Sequence, residues 1–273
     1  MQYFEFNNGI KMPMLGFGTW DVRGTEGVAI IKNALEVGYR LFDSAHMYAN
    51  EQMLGKAIQE AKINREELFI TTKLDYESNS YAKAKAGIQQ SLKRLQVSYL
   101  DLVLIHEPYK EAEDMYHALE EAYEQGLIKA IGISNFNEKQ YLKLISHCHI
   151  IPMVNQVESH IYFTQKELKD VLEANGTYMQ SWGSFTEGKK DIFHEPVLME
   201  IAKQYQKTAG QVALRYLLQQ HISVIPKTKH KERMEENLNV FDFILTEKEM
   251  DAIASLDKKE SLFHWYNDSY QWY

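Results

Sequence analysis

The hydrophobic pattern of the chain alternates between two periods. In residues 100–106 nearly every position is apolar, which is typical of a strand buried on both faces. In Gly24–Val37, by contrast, Val28, Ile31 and Leu35 recur at helical spacing and predict an amphipathic helix. Segments of these two kinds follow one another about eight times along the chain. Such an alternation predicts a parallel sheet whose strands are joined by helices.

Turn and helix-end signals set the limits of these segments. Asn7-Asn8-Gly9 separates two short segments, 3–6 and 10–14, and predicts a hairpin ahead of the first unit. We then predict strands at 14–18, 41–43, 68–73, 100–106, 130–133, 152–156, 177–182 and 223–226. We predict helices at 24–37, 51–62, 82–95, 115–125, 138–146, 165–173, 197–205 and 209–219.

The number of units and the chain length favour one closed barrel. A chain of 273 residues could hold two average domains, but (β/α)8 barrels commonly reach this size as one. The alternative is a doubly wound sheet. Its dinucleotide fingerprint is missing, because Asp21 stands where a third glycine should follow Gly16 and Gly18. We therefore expect an α/β fold, a TIM barrel formed by residues 1–273 as a single domain, with an N-terminal β-hairpin and a short C-terminal tail.

The amino-acid composition limits the kinds of molecule that the protein is expected to bind. The formal net charge is −8 and the pI is about 5.7, which argues against broad affinity for nucleic acid or for an anionic membrane. No basic segment followed by an apolar run opens the chain, and no apolar run approaches the roughly 20 residues of a membrane span. The single cysteine, Cys148, excludes an internal disulfide and fits a reducing compartment. We expect a cytoplasmic protein without nucleic-acid or membrane partners.

Polar or aromatic side chains follow most of the predicted strands. In a barrel, the carboxyl ends of the strands meet at one face and carry the catalytic groups. Tyr48 lies on the loop after the strand that ends at Asp43, and the next two strands end at Lys73 and His106. A phenol beside a lysine–carboxylate pair and a histidine suits proton donation to a carbonyl oxygen. The later strand ends carry Ser134, Asn135, Gln156, Trp182 and Lys227.

Several motifs at these strand ends together resemble the aldo-keto reductase family over nearly the whole chain. They are Gly16-Phe-Gly-Thr-Trp20, Phe42-Asp-Ser-Ala with Tyr48-Ala-Asn-Glu51, Thr71-Thr-Lys-Leu74, Leu104-Ile-His106, Ile131-Gly-Ile-Ser-Asn-Phe136, Val154-Asn-Gln-Val-Glu158 and Val224-Ile-Pro-Lys227. The resemblance, in particular to bacterial diketogluconate reductase-like members, implies NADPH-dependent reduction of aldehydes or ketones to alcohols. It also implies a catalytic tetrad, formed by Asp43, Tyr48, Lys73 and His106.

The chemistry of these four side chains agrees with that role. A free phenol has a pKa near ~10, which is poorly matched to proton donation at neutral pH. Lys73 is expected to stabilise the phenolate of Tyr48 and to lower its pKa, and Asp43 to hold the ammonium in place. His106 is expected to orient the carbonyl and to stabilise the developing oxyanion. The alternative for Tyr48 is a purely structural tyrosine that packs on the barrel rim.

The resemblance also implies where the nicotinamide half of NADPH binds. Ser134, Asn135 and Gln156 are expected to hydrogen-bond the carboxamide, unless Gln156 belongs to an internal barrel network. Trp182 is expected to stack on the nicotinamide ring, unless it is a core residue. The following Gly183-Ser184-Phe185 replaces the Ser-Pro-Leu of many relatives. The pyrophosphate loop is therefore expected to differ in detail, with Ser184 supplying a hydroxyl.

A cationic segment, 227–233, follows the last predicted strand and opens a helix. In an acidic protein, cations at such a position form a natural phosphate site. Without the resemblance, the alternative is a solvated helix face. With it, the residues expected at the adenosine 2′-phosphate are Lys227, Thr228, Lys229 and Arg233, and those expected at the adenine are Glu236 and Asn237.

The substrate opening is expected to carry aromatic and acidic side chains. By resemblance, the aromatic tail 261–273 folds over the opening beside Trp20. Asp75 and Glu107 occupy positions where well-known relatives carry tryptophans. If both face the pocket mouth, their charge disfavours keto acids; alternatively they point to solvent or pair with lysines. The residues expected to contact the substrate are Trp20, Tyr48, Asp75, His106 and Glu107.

Two other functions remain open at this point. One is a slow or non-catalytic nucleotide-binding regulator built on the same barrel. The other is a barrel hydrolase with paired carboxylates such as Glu158 and Asp43, which leaves segment 227–233 unexplained. His147-Cys148-His149 resembles a metal cluster, but these neighbours cannot converge on one ion without further ligands, so no metal is expected. We expect a monomer that acts on a small-molecule carbonyl substrate.

Overall fold

A hairpin precedes the barrel and covers its amino-terminal end. The computed structural model describes residues 2–264. Strands β1 (Tyr3–Glu5) and β2 (Lys11–Pro13) pair antiparallel across the turn that the sequence predicts. The rings of Phe4 and Phe6 lie 4.4 and 5.8 Å from that of Tyr178, which begins a barrel strand. The hairpin therefore packs on the end opposite to the one where catalytic groups are expected.

Eight parallel strands form the barrel sheet, each paired with its sequence neighbour. The last strand returns to the first, because the amide of Gly16 donates to the carbonyl of Val224 at 2.8 Å and the amide of Val224 donates to Met14 at 2.9 Å. The parallel bridge between Leu15 and Val224 closes the sheet and confirms the predicted barrel. The strands are β3 (Phe17–Gly18), β4 (Leu41–Asp43), β5 (Phe69–Leu74), β6 (Leu102–Ile105), β7 (Ile131–Ser134), β8 (Val154–Glu158), β9 (Tyr178–Trp182) and β10 (Ser223–Val224).

Amphipathic helices surround the sheet. The third of them shows the pattern, with Ala84, Ile88 and Leu92 buried at helical spacing and Ser80 capping the first turn through the amide of Lys83. None of the helices within residues 2–264 is both long enough and apolar enough to cross a membrane. The helices are α1 (Gly24–Val37), α2 (Glu51–Ala61), α3 (Tyr81–Leu95), α4 (Ala112–Glu124), α5 (Glu138–Ile145), α6 (Lys166–Ala174), α7 (Pro196–Tyr205), α8 (Ala209–Gln219), α9 (Lys231–Leu238) and α10 (Glu247–Ala254).

The structure shortens the two predicted strands at the barrel seam. Segment 14–18 keeps only β3, and 223–226 keeps only β10. The backbones are too close here for side chains, since a Cβ atom on Gly18 would lie 2.6 Å from the carbonyl oxygen of Ile225. The first and last barrel strands are thus joined by a few backbone hydrogen bonds instead of a long hydrogen-bond ladder, and Gly18 allows their backbones to approach closely.

Candidate active site

Three side chains of the expected tetrad meet through the ammonium of Lys73. Neighbouring strands β4 and β5 carry Asp43 and Lys73, and both side chains are buried. Lys73 Nζ lies 2.5 Å from Asp43 Oδ1, 3.0 Å from the carbonyl oxygen of Ser44 and 3.2 Å from Tyr48 Oη. The three donor directions of one ammonium are therefore taken by a carboxylate, a carbonyl and the phenol.

His106 completes the group from the end of β6. Its ring centroid lies 5.8 Å from that of Tyr48 in an edge-to-face arrangement. The ring of Trp20 approaches Tyr48 from another side at 5.1 Å. Nδ1 of His106 is buried and has no hydrogen-bond partner among residues 2–264. The structure thus brings all four tetrad residues together, with Trp20 at the rim.

The pKa of the Tyr48 phenol departs from the sequence-based expectation. Burial raises this pKa, Lys73 lowers it by less, and the charges of Asp43 and Glu187 raise it further. Lys73 lowers the pKa of Tyr48, as expected, but the net direction is upward, because desolvation of a phenolate outweighs the attraction of one ammonium. At neutral pH Tyr48 is protonated.

Of the two basic side chains beside Tyr48, Lys73 is charged and His106 is neutral at neutral pH. Burial lowers the pKa of Lys73, but the charges of Asp43 and Tyr48 and their hydrogen bonds raise it, and the net direction is upward. Burial and the nearby charge of Lys73 hold the pKa of His106 well below its usual range. At neutral pH the site therefore contains a charged lysine and a neutral imidazole.

A cavity of about 310 Å³ opens over this group at the carboxyl ends of the strands. Its size suits a small organic molecule or part of a larger one. The lining combines tetrad residues with the predicted cofactor residues and with several that the sequence does not single out. The lining residues are Gly18, Trp20, Asp43, Met47, Tyr48, His106, Glu107, Ser134, Asn135, Gln156, Trp182, Gly183, Glu187, Ile225, Lys227 and Phe263.

Gln156 belongs to a buried network and also reaches the tetrad. Its Nε2 donates to Asp43 Oδ2 and to Gln180 Oε1, both at 2.7 Å. Gln180 in turn donates to Ser223 Oγ at 3.0 Å. Ser134 donates its hydroxyl hydrogen to the carbonyl of Gln156 at 2.9 Å. The amide of Gln156 therefore fixes the orientation of the Asp43 carboxylate.

Asn135 links the cavity walls. Its Nδ2 donates to Glu107 Oε1 at 2.9 Å, and its Oδ1 accepts a bond from the indole nitrogen of Trp182 at 2.7 Å. The left-handed backbone of Asn135, with φ of 65°, turns its amide toward both neighbours. The orientation of the Trp182 ring at the cavity is thus fixed by a hydrogen bond as well as by packing.

Asp75 and Glu107 differ in their surroundings. Glu107 lines the cavity. Asp75 does not; its carboxylate caps the short helical turn Tyr76–Ser78 by accepting the amide of Glu77 at 3.1 Å. Asp75 therefore has a local structural role, and Glu107 alone of the pair reaches the expected substrate region.

The cationic segment 227–233 is only partly neutralised. Lys229 lies 3.7 Å from Asp21, and Lys231 lies 2.9 Å from Glu36. Lys227 and Arg233 are exposed and form no salt bridge within residues 2–264, although Lys227 lies close enough to Glu187 to lower the pKa of that carboxyl. Lys227 also lines the cavity, so one of these cations connects the cavity to the start of α9.

The remaining expected cofactor residues have protein partners. Thr228 is buried, and its hydroxyl accepts the amide of His230 at 3.2 Å. Glu236 accepts the hydroxyl of Thr208 at 2.6 Å. Asn237 is buried and hydrogen-bonds Tyr39. These three residues shape the region around α9, and their side chains are less free than the cations that precede them.

The loop after β9 carries the predicted Ser184 and Phe185 and one residue, Glu187, that sequence reasoning misses. Ser184 is buried and hydrogen-bonds Ser181 Oγ at 2.7 Å, and the ring of Phe185 packs on Phe193 at 5.2 Å. Glu187, with φ of 50°, then enters the cavity lining. Burial raises the pKa of Glu187, against the lowering effect of Lys227. No periodicity or motif marks Glu187, because its position follows from a left-handed turn.

A cluster of possible metal ligands lies away from the cavity. Ligand atoms of His117, Glu120 and His149 lie within 4.8 Å of one another. Glu120 Oε1 already accepts the amides of His149 and Ile150 at 2.6 and 2.8 Å, and Oε2 lies 2.8 Å from His117 Nδ1. The buried carboxylate of Glu120 is therefore explained by its hydrogen bonds to the loop at His149 and Ile150.

Comparison with known proteins identifies the family. The profile of the aldo/keto reductase family matches residues 14–258. The chain belongs to the aldo/keto reductase family. Among similar proteins, glyoxal reductase of Bacillus subtilis (strain 168) is 41% identical over 258 residues, which is 94% of this chain and 93% of that protein. Methylglyoxal reductase DkgA of Escherichia coli O157:H7 is 37% identical over 94% of each chain.

Solved aldo-keto reductases share the barrel. An enzyme of the family from a Medee basin deep-sea metagenome library superposes with a TM-score of 0.92 at 38% identity, covering 94% of this chain and 96% of that one. An aldo-keto reductase complexed with NADPH gives 0.89 at 32% identity, covering 96% and 89%. The chain is an NADP-dependent oxidoreductase that reduces carbonyl compounds, as the sequence predicts.

Proposed function

We propose that Tyr48 donates the proton when this reductase converts an aldehyde or ketone to an alcohol. The observation that carries the proposal is the bridging ammonium of Lys73, which lies 2.5 Å from Asp43 and 3.2 Å from the Tyr48 hydroxyl. The phenol is protonated at neutral pH, and the ammonium stabilises the phenolate that forms after proton transfer. Asp43 keeps Lys73 charged and in place.

His106 is proposed to position the carbonyl group. The imidazole is neutral at neutral pH, so it can donate one N–H to the carbonyl oxygen without giving up a proton to it. Its edge-to-face contact with Tyr48 places both side chains at the same part of the cavity. One oxygen can thus accept bonds from the phenol and the imidazole together.

The residues present fit a nicotinamide cofactor. Trp182 offers an aromatic face at the cavity, and Gln156 and Asn135 offer amides there. Lys227, which forms no salt bridge within residues 2–264, lies between the cavity and the exposed Arg233 at the start of α9. When bound, the reduced nicotinamide supplies the hydride. We propose that Trp182 faces that ring and that Ser134, Asn135 and Gln156 bind the carboxamide.

The free cations favour the phosphorylated cofactor. We propose that Lys227, Thr228, Lys229 and Arg233 surround the 2′-phosphate, with Arg233 contributing the charge that no protein carboxylate within residues 2–264 neutralises. Gly183, Ser184 and Phe185 are proposed to follow the pyrophosphate, and Glu236 and Asn237 to border the adenine.

We propose small α-oxoaldehydes as the substrate class. Two relatives that match over nearly their full length are named glyoxal and methylglyoxal reductases. A cavity of about 310 Å³ that the cofactor must share leaves room for a compound of this size. Trp20, Tyr48, His106 and Glu107 border that space. All of these residues come from one chain, so we propose that a monomer, acting in the cytoplasm, is sufficient for activity.

Two alternatives lose support. A non-catalytic regulator does not require the charged Lys73 between Asp43 and a protonated phenol. A carboxylate-based hydrolase requires Glu158 to face Asp43 across a substrate, but Glu158 is not in the cavity lining and already accepts several protein donors.

The substitution Tyr48→Phe tests the assignment. NADPH oxidation is followed with glyoxal and methylglyoxal, and NADPH binding is measured by quenching of protein fluorescence. We expect kcat to fall by about 10²- to 10⁴-fold, the usual contribution of a general acid, while the NADPH Kd changes less than about three-fold.

Tyr3→Phe is the matched control, because Tyr3 is half exposed on the hairpin at the other end of the barrel. It should keep kcat within about two-fold. Near-wild-type turnover by Tyr48→Phe would refute its role as proton donor. A wild-type protein that binds NADPH but reduces no aldehyde would instead support the regulator.

A further inference from the structure

Glu158 is a buried carboxylate that the catalytic tetrad does not use. It ends β8, two residues after Gln156, and its side chain is fully buried. A buried carboxylate costs free energy unless hydrogen-bond donors surround it. The hydrogen-bond donors around Glu158 therefore indicate which segments its carboxylate holds in place.

Those donors come from two directions. His160 Nε2 lies 3.1 Å from Oε1, and its Nδ1 has no hydrogen-bond partner among residues 2–264, so Nε2 is the nitrogen that donates to Glu158. The amide of Leu262 donates to Oε1 at 2.9 Å, and the hydroxyl of Ser261 donates to Oε2. One carboxylate at a strand end thus holds a segment about a hundred residues further along the chain.

The segment that Glu158 fixes, residues 261–263, places the aromatic ring of Phe263 in the cavity wall. The amide of Phe263 donates to Ser261 Oγ at 3.1 Å, so the same serine connects Phe263 to Glu158. The Phe263 ring lies 5.1 Å from Trp182 at 69°, and Lys189 Nζ lies 5.2 Å from its centroid. Phe263 lines the cavity, whereas Glu158, Ser261 and Leu262 do not.

Other attachments of this segment end before the cavity. Thr164 donates to Asp257 at 2.5 Å, and Lys259 lies 2.6 Å from Glu167 at the exposed surface. Asp257 precedes a left-handed turn at Lys259, with φ of 53°, and both attachments therefore lie before Ser261 in the chain. Within residues 2–264, the bonds to Glu158 are therefore the last backbone anchor before Phe263.

We propose that Glu158 is a positioning residue for substrate specificity. Its carboxylate fixes Ser261 and Leu262, which places the Phe263 ring against Trp182 as one wall of the substrate cavity. The proposal rests on the proposed function insofar as the cavity binds the carbonyl substrate. Substrates large enough to contact Phe263 depend on this anchor, and those that reach only the tetrad do not.

A double-mutant cycle tests the connection. Ser261→Ala removes the hydroxyl that links Glu158 to Phe263 while leaving the buried carboxylate in place, and Phe263→Ala removes the ring. Each variant and the double variant are assayed with methylglyoxal and with 2-naphthaldehyde. Ser255→Ala is the matched control, because that hydroxyl donates to Ala252 within the preceding helix end.

The expected pattern distinguishes positioning from general damage. For 2-naphthaldehyde, Ser261→Ala and Phe263→Ala should each raise KM by about five-fold, the scale of one aromatic contact, and the double variant should be no worse than Phe263→Ala alone. In Ser261→Ala, which leaves the cavity-lining side chains in place, KM for methylglyoxal, kcat and the NADPH Kd should stay within about two-fold. Additive effects, or equal losses for both aldehydes, would overturn the proposal.

A second measurement does not require turnover. Because the Leu262 amide donates to a buried carboxylate, it should exchange its hydrogen slowly in the wild type. Exchange in peptides covering 260–263 should rise at least ten-fold in Glu158→Leu, which removes the acceptor of the Leu262 amide, and remain unchanged in Ser255→Ala. Fast exchange in the wild type would refute the anchor even if the enzyme is active. A protected amide in an inactive protein would refute only the proposed function.

Discussion

At the scale of single residues, the protonation states of Tyr48 and His106 decide which can be the acid. Burial raises the pKa of Tyr48, and burial together with Lys73 places the pKa of His106 well below its usual range. Reduction consumes the acid form of the donor, so its rate is lost as pH rises through the donor's pKa. With Tyr48 as donor, kcat for methylglyoxal reduction should be flat from about pH 6 to about pH 8.

A pH profile of kcat under saturating NADPH checks this. A protonated His106 donor would give a rate that falls as pH rises through the lowered pKa of His106, so the profile is extended below pH 6. His106→Gln, which keeps an N–H donor and cannot titrate, should show the same flat profile at a lower rate. A rate that falls with rising pH below the ordinary histidine range in the wild type, but not in His106→Gln, would assign the proton to the histidine.

Sequence alone predicts Asp43, Lys73 and His106 because each ends an apolar run, and the ends of parallel strands converge. It does not predict Glu187. It includes Phe263 only as one ring of the tail 261–273 expected over the opening, and residues 265–273 of that tail lie outside the described residues. Glu187 and Phe263 both lie on loops, where side-chain direction depends on individual backbone angles and on contacts far along the chain. The net pKa of Tyr48 is equally hidden, because it depends on the degree of burial.

At the scale of secondary-structure elements, Asn50 joins three segments around the site. Its Nδ2 donates to the carbonyl oxygens of Thr19 and Val22 at 2.8 and 3.1 Å, and its Oδ1 accepts the hydroxyl of Ser44 at 2.7 Å. The residue is buried and begins α2. It therefore ties the Trp20 loop, the end of β4 and α2 into one unit.

Asn50→Asp should break this junction. The new oxygen would face two carbonyl oxygens in a buried place, so both lose a donor and a charge is left without a partner. We expect the free energy of unfolding to fall by about 2–4 kcal/mol in urea denaturation. The same variant should raise KM for methylglyoxal, because the loops carrying Trp20 and Tyr48 lose their common anchor.

Asn64→Asp is the matched substitution at an exposed site. Asn64 accepts the amide of Glu66 at 3.2 Å, and an aspartate accepts it equally well. Stability should change by less than about 0.5 kcal/mol. If Asn50→Asp is as mild as Asn64→Asp, the buried junction does not hold the loops.

The order of elements is predictable because strand and helix periods differ clearly along the chain. Helix α10 is not among the predicted elements, although Thr246 and Glu249 form a capping box that the sequence displays. Its short length and few apolar positions give a weak periodic signal. The lengths of β3 and β10 are unpredictable for another reason: they depend on how closely two backbones approach at the seam.

At the scale of the whole molecule, charge should select among substrates. The protein carries a formal charge of −8, and Glu107 and Glu187 line the cavity. Lys227 lies there too, but we propose that it binds cofactor phosphate. A substrate carboxylate would then enter a negative field, at a cost of roughly 1 kcal/mol for one charge at close range in water. We expect kcat/KM for 4-nitrobenzaldehyde to exceed that for 4-carboxybenzaldehyde by roughly five-fold or more.

Salt and two substitutions separate this field from the shape of the cavity. Raising the ionic strength from about 0.01 M to about 1 M should shrink the difference, because the screening length falls from about 30 Å to about 3 Å. Glu107→Gln should shrink it as well. Asp75→Asn should not, because Asp75 caps a turn outside the cavity lining and an asparagine caps that turn equally well. A preference for 4-carboxybenzaldehyde at low salt would mean that the positive charge of Lys227 dominates the field in the cavity. That result would refute the predicted selection against negatively charged substrates. It would not affect the family assignment.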